Sequence, residues 1–202
     1  GEARWHDPKR YLWSLGLLVP LFPIFGAIVF MQTGQIWGWW LTPVIVYFII
    51  PALDFFIGTD HSNPPESAVN QLEADNYYRY IVYAYIPLQY AGTIITVWFA
   101  CTELGPLGII AGLFSCAYVN GIGINTGHEL GHKRDPLSQF LAKLALAPVA
   151  YGHFYVEHNF GHHRRVATPE DPASSKMGES FWRFLPRTVI GSLRSACEIE
   201  SK

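Results

Sequence analysis

The chain has 202 residues, half of them hydrophobic, 15% aromatic and only 15% charged, with a formal net charge of −2. A soluble domain carries about a quarter charged residues, so an ordinary soluble core is a poor fit, and the near-neutral charge gives no reason to expect nucleic acid as a partner. The apolar residues gather in long blocks, and the expected fold is all-α: a polytopic transmembrane helical bundle forming a single membrane domain over residues 1–202.

Four blocks, at about 12–31, 36–57, 77–100 and 106–127, each reach the roughly 20 apolar residues that a bilayer crossing needs. The first follows Arg4, Lys9 and Arg10 and imitates a signal peptide. It is too long for one, lacks a small-residue cleavage site and runs straight into a second span. The tips "QTGQ" and "TELG" hold no Lys or Arg, so if the spans alternate all 14 basic residues lie on the opposite side. The positive-inside rule makes that side cytoplasmic, N-terminus included. Trp37, Trp39 and Trp40 open the second span and read as an interfacial aromatic belt rather than a substrate gate. His6 in the tail and His61 in the polar 58–79 connection read as ordinary loop histidines. The fourth span carries Gly108-x-x-x-Gly112 and then Gly123, Gly127 and Gly131 at the same spacing, a ridge for close helix approach. Cys101, Cys116 and Cys197 show no paired spacing and predict no disulfide framework. Residues 136–160 are apolar but broken by Lys143 and Pro148, which predicts a partial or interfacial helix. A turn region follows, and the tail from Phe181 reads as an amphipathic surface helix or the start of a further span.

Five of the eight histidines fall in two clusters, His128-x-x-x-His132 and His158-x-x-x-His162-His163. On a helix, positions i and i+4 differ by roughly 40° and share a face, so each pair can clamp a metal. His163 would point roughly 140° from His158 on a continuing α-helix. It then serves a second metal, or the same one if the backbone turns there. With the fourth span entering the hydrocarbon near Pro106, His128 and His132 fall at its cytoplasmic boundary, and the second cluster follows on the same side.

"HELGH" matches the H-E-x-x-H pattern of zinc proteases, with Glu129 as general base. That reading needs a third ligand. The one acidic candidate within a span, Asp54, precedes the motif, and three histidines of the second cluster remain unexplained. Catalytic zinc takes three protein ligands and an open position, whereas a histidine-rich two-iron site uses all five. Imidazole suits iron, and a site at a membrane surface suits a substrate arriving through lipid. Glu129, Glu157 and Asp171 are candidates to accept the second N–H of a ligating imidazole, although Asp171 in "TPEDP" reads equally well as a turn or cap residue. His153 lies near the second cluster as a supporting or merely interfacial residue. Asp54 is either near the site or simply polar at the end of its span. Lys133, Arg134, Arg164 and Arg165 could steer an acidic redox partner, though the positive-inside bias also accounts for them.

"NTGHELGHKRD" together with "GHFYVEHNFGHHRRVATPEDPASS" resembles the bacterial membrane alkane 1-monooxygenases. These belong to the histidine-box di-iron group that also includes the membrane desaturases and xylene monooxygenase. The likeness runs along the whole chain, including "NPPE" after the second span. It implies O2-dependent terminal hydroxylation of n-alkanes to 1-alkanols at two non-haem iron ions, with O2 as co-substrate. Electrons would come from rubredoxin, served by a rubredoxin reductase and NAD(P)H, and the n-alkane from the lipid of a bacterial inner membrane. By motif match His128, His132, His158, His162 and His163 would be iron ligands. A third histidine box and a further histidine follow these motifs in the family pattern. The chain is therefore expected to be truncated at its C-terminus, to have more spans in full-length form, and to be inactive alone. A desaturase or xylene-monooxygenase-like hydroxylase is the neighbouring alternative, and an intramembrane zinc metalloprotease the alternative of another class.

Overall fold

The computed structural model describes residues 5–60 and 62–202, so His61 lies outside the described residues. The described residues are helical with no strand. Four helices are long and apolar enough to cross a membrane: α1 (Arg10–Thr33), α2 (Ile36–Ile57), α3 (Asn76–Thr102) and α4 (Pro106–Gly131). They match the four expected blocks, each carried to its own stop signal. Gly34 ends α1 in the left-handed conformation at φ 69°, its N–H returning to the Phe30 carbonyl, an arrangement glycine adopts without steric cost. Asp75 opens α3 by accepting the Tyr77 N–H. Beyond α4 come α5 (Pro136–Leu146), α6 (residues 153–165) and α7 (Phe181–Glu200). The chain divides into two compact units, Gly1–Gly123 and Ile124–Lys202, and α4 supplies residues to both.

In the first unit small residues set the helix spacing. A Cβ at Gly92 of α3 would stand 2.7 Å from the Pro20 carbonyl oxygen of α1, and one at Gly26 would stand 3.0 Å from the Gly38 carbonyl of α2. Close backbone approach of this kind replaces the hydrophobic drive that lipid removes. Gly92→Ala is expected to cost about 1–3 kcal/mol through overpacking against a rigid carbonyl. Unfolding in mixed micelles reads this cost, and an unchanged midpoint would remove the close approach from the fold.

That spacing corrects the aromatic-belt reading in part. Trp37 is half exposed, but Trp39 is fully buried and packs with Ala27, Leu104 and Ala111. The alanines and Gly26 leave room that the large ring fills, so at this position the core takes the indole. A buried polar layer also joins α3 to α4, invisible in the hydropathy. Gln89 Nε2 donates to Asn120 Oδ1 at 2.9 Å, Asn120 Nδ2 donates to Thr93 Oγ1 at 3.0 Å, and the Tyr85 hydroxyl donates to the Val119 carbonyl at 2.7 Å. The N-terminal segment is tied to the polar connection and the start of α3. Lys9 pairs with Asp60, Arg10 pairs with Asp75, and the Arg10 guanidinium lies 4.3 Å from the Tyr77 ring centre.

In the second unit Leu130, Ala142, Ala145 and Leu146 form the dry centre. A Cβ at Gly127 would stand 2.8 Å from Leu146 Cγ and 3.2 Å from the Ala142 carbonyl, so glycine there lets the end of α4 lie against α5. Asp135 caps α5 through the Ser138 N–H at 2.9 Å, with Pro136 at the first helical position. The apolar run breaks after Pro148, where Ala150 turns left-handed at φ 52°, and α6 starts afresh at His153. The tail forms α7, whose inward face is small and polar (Ser192, Ser195, Ala196), while Trp182, Leu185, Val189 and Leu193 are exposed.

Candidate metal centre

The last turn of α4 carries His128, and His132 follows one residue past its end. The second cluster sits on α6, whose middle is not α-helical. Residues Glu157–His162 form a π-helical stretch. A π turn holds about 4.4 residues, so i+4 and i+5 both come within about 50° of residue i. The widening therefore brings His162 and His163 together onto the side of His158, which an α-helix could do only for His162.

The imidazoles converge through their Nε2 atoms. His128 and His132 approach to 3.0 Å, His132 and His158 to 3.2 Å, and His158 and His163 to 3.0 Å. Two nitrogens each held about 2.0–2.1 Å from one ion lie about 2.9–3.4 Å apart. The spacing is thus that of a shared metal, and ligand atoms of His128, His132 and His158 all lie within 4.8 Å of one another. The Phe154 ring stacks on His158 at 4.9 Å and covers that face.

Their surroundings favour the neutral form of two of these imidazoles, His132 and His158. Burial, and then the neighbouring His128, His163, His132 and His162, push His158 down to about 4. Burial and then His128 and His163 lower His132 in the same direction. An unfolded histidine takes its proton at about 6.5. The stability that follows from holding His158 neutral is therefore complete above about pH 6.5 and is lost as pH falls toward 4. In the folded protein protons displace metal from His158 as pH falls to about 4 and below. Titrating the metal-free protein by histidine NMR is expected to show His158 protonating well below the ordinary histidine value of about 6.5; protonation near 6.5 would count against the burial of His158 among the other rings.

His162 is oriented differently. Its Nδ1 donates to Asp171 Oδ2 at 2.8 Å, since a carboxylate can only accept. Burial pushes the Asp171 carboxyl upward, but hydrogen bonds from Ser174, the Ala173 N–H and His162 outweigh this, and it lies below its ordinary value. The bond leaves His162 Nε2 as the free donor atom. Asp171 thus combines its two expected roles, capping the 171–174 turn and holding an imidazole.

Three other supporting candidates, Glu129, Glu157 and His153, contact other groups. Glu129 pairs with Lys133 at 2.7 Å and is half exposed; the lysine four residues on shares its helix face and takes the carboxylate that an imidazole was expected to hold. Glu157 is 2% exposed and pairs with Arg165 at 3.1 Å, with its carboxylate lying over Gly161 rather than bonded to a histidine. His153 packs edge-on against Tyr151, ring centres 4.7 Å apart, and its Nε2 is buried without a partner. Asp54 is exposed and belongs to the first unit, whereas all five cluster histidines belong to the second. One functional contact carries no sequence signal: Arg165 Nη2 also bonds Ser195 Oγ of α7, a pairing across 30 positions.

The described residues thus combine four helices of membrane-crossing length with a cluster of converging imidazoles. Residues 104–200 match the family model described as fatty acid desaturase. The chain is 46% identical over 199 residues to alkane 1-monooxygenase 1 of Alcanivorax borkumensis, covering 97% of this chain and 49% of that protein. It is 44% and 42% identical to the alkane 1-monooxygenases of Ectopseudomonas oleovorans and Pseudomonas putida, with the same coverage. The chain is therefore a homologue of the alkane 1-monooxygenases and a multi-pass membrane protein. It spans about half the length of the curated relatives it matches.

Proposed function

We propose that this chain supplies the histidine-bearing, membrane-embedded part of an O2-dependent hydroxylase that converts n-alkanes to 1-alkanols at a non-haem di-iron centre. The observation that carries the reading is the convergence of four imidazole Nε2 atoms at 3.0–3.2 Å, joined to 42–46% identity with alkane 1-monooxygenases. His128, His132, His158 and His163 would hold iron through Nε2, and His162 would do so with its Nδ1 committed to Asp171. Bound iron supplies the activation of O2 that an inert C–H bond demands. Two ions sharing five imidazoles are each left short of a full donor set, so the complete centre draws on further donors. An alkane offers no polar handle, so apolar walls of the spans would measure chain length sterically.

The positive-inside bias supports a cytoplasmic position for the histidines, in the inner membrane of a bacterium. Rubredoxin, reduced through its reductase and NAD(P)H, would deliver electrons there. Lys133 and Arg165 are held by Glu129 and Glu157, which leaves exposed Arg134 and Arg164 as the charges free to steer an acidic partner. The test is metal analysis of the full-length protein with products from n-octane. Iron with 1-octanol supports the proposal. One zinc and no iron would overturn it in favour of the HExxH protease reading, and an alkene product would favour the desaturase reading that the family model also supports.

A further inference from the structure

Beyond the histidines, one side chain gathers the contacts that hold the supporting turn in place. Arg187, on α7, donates from Nε to Glu179 Oε1 at 2.8 Å and from Nη2 to Glu179 Oε2 at 2.6 Å. Its Nη1 reaches the Pro172 carbonyl at 3.2 Å, and Nη2 reaches the Ser174 carbonyl at 2.8 Å. The guanidinium thus grips the backbone at two points just past Asp171. Glu179 completes the grip by accepting the Lys176 N–H at 3.0 Å. One helical turn further on, Gly191 leaves the room that Pro172 occupies, since a Cβ there would stand 2.6 Å from Pro172 Cβ. Within the held turn, Asp171 is 1% exposed and accepts from Ser174 Oγ at 2.5 Å and from the Ala173 N–H at 3.0 Å. One carboxylate oxygen of that buried group meets His162 Nδ1.

We propose that Arg187 is a positioning residue for the metal centre: it fixes the 172–174 turn so that Asp171 holds His162 with its Nε2 directed outward as a donor. The inference rests on the reading of His162 as a metal ligand. A guanidinium suits the task because its planar fork makes several bonds at fixed angles, which a lysine ammonium cannot reproduce. It acts through the backbone and touches neither metal nor substrate. A surface ion pair between Arg187 and Glu179 alone would be worth little; the two carbonyl bonds and the seat at Gly191 are what link it to Asp171.

The test uses the full-length iron-loaded protein in nanodiscs, with iron affinity read by chelator competition and ligand geometry by iron X-ray absorption. Arg187→Ala and Asp171→Ala are each expected to weaken iron binding about 10-fold or more, the range found for partners of metal-bound histidines. The double variant is expected to be no weaker than Asp171→Ala alone, because both act through one bond. Gly191→Ala, which displaces Pro172 and keeps the guanidinium, is expected to move affinity in the same direction. Arg187→Lys should rescue little, and Arg183→Ala, exposed on the same helix, should leave affinity unchanged. If Arg187→Ala fails to accumulate, Arg187→Gln carries the same comparison. Additive losses in the double variant, or wild-type affinity and absorption spectrum in Arg187→Ala and Gly191→Ala, would overturn the proposal while leaving the metal centre standing. Absence of iron from the wild-type protein would instead remove the reading beneath it.

Discussion

Replacing His158 by alanine is expected to weaken metal binding by at least about 100-fold and to abolish hydroxylation by the full-length protein. No other imidazole has as many neighbours. Its Nε2 lies 3.2 Å from that of His132 and 3.0 Å from that of His163, and its ring centre is 4.5 Å from that of His128. It therefore joins the pair delivered by α4 to the pair delivered by α6. Losing any other donor leaves His158 with its remaining neighbours, but losing His158 removes the ring that the most others contact. The vacated space lies beside Phe154 and offers no substitute donor. Metal content by mass spectrometry checks this, with His6→Ala as the comparison because His6 is exposed and lies in the first unit. Wild-type metal content in the His158 variant would remove it from the centre.

The second large effect is on stability. Arg165→Ala is expected to destabilise the second unit by about 3 kcal/mol, the lower end of the range for breaking a buried ion pair, because Arg165 itself is one-third exposed. The variant strands the Glu157 carboxylate, 2% exposed, against Gly161 with no cation. It also removes the bond to Ser195 that ties α6 to α7. Replacing both charges, as Glu157→Leu with Arg165→Met, is expected to recover most of the loss, since apolar pairs of similar volume often equal a buried ion pair. Unfolding by denaturing detergent measures both variants. Equal losses in the single and double variants would show that packing of the arginine stem, not its charge, matters here.

The four spans were legible because bilayer length and apolar composition leave few alternatives, and their ends were fixed by Gly34, Asp75 and Pro106. The histidine clusters were legible because i, i+4 spacing on a helix is geometric. The joining of His163 to that cluster was not, because a π turn replaces the α turn on which the angle depends. Trp39 was misplaced because tryptophan beside tryptophan at a span end reads as a belt, and only the small residues on neighbouring helices make it core. The pairing of Glu129 with Lys133 was written at i+4, but the metal reading of "HELGH" outranked it. The roles of Ser195, Arg187 and Gly191 had no local signal, because each depends on a partner far along the chain.

The wide turn in α6 has a consequence for how this segment can vary. A π turn holds one more residue than the α turn it replaces, and here that extra residue lets His158, His162 and His163 share a side. Residue number between the histidines is thus a functional quantity distinct from residue identity. Asn159 and Phe160 can change while the count is kept. Loss of either position with a return to α periodicity would leave the histidines at i, i+3 and i+4, still within about 60° of the first, whereas one inserted residue would swing the last of them to about 130° even in a π turn, so a one-codon insertion here is more damaging than most substitutions at the same two sites.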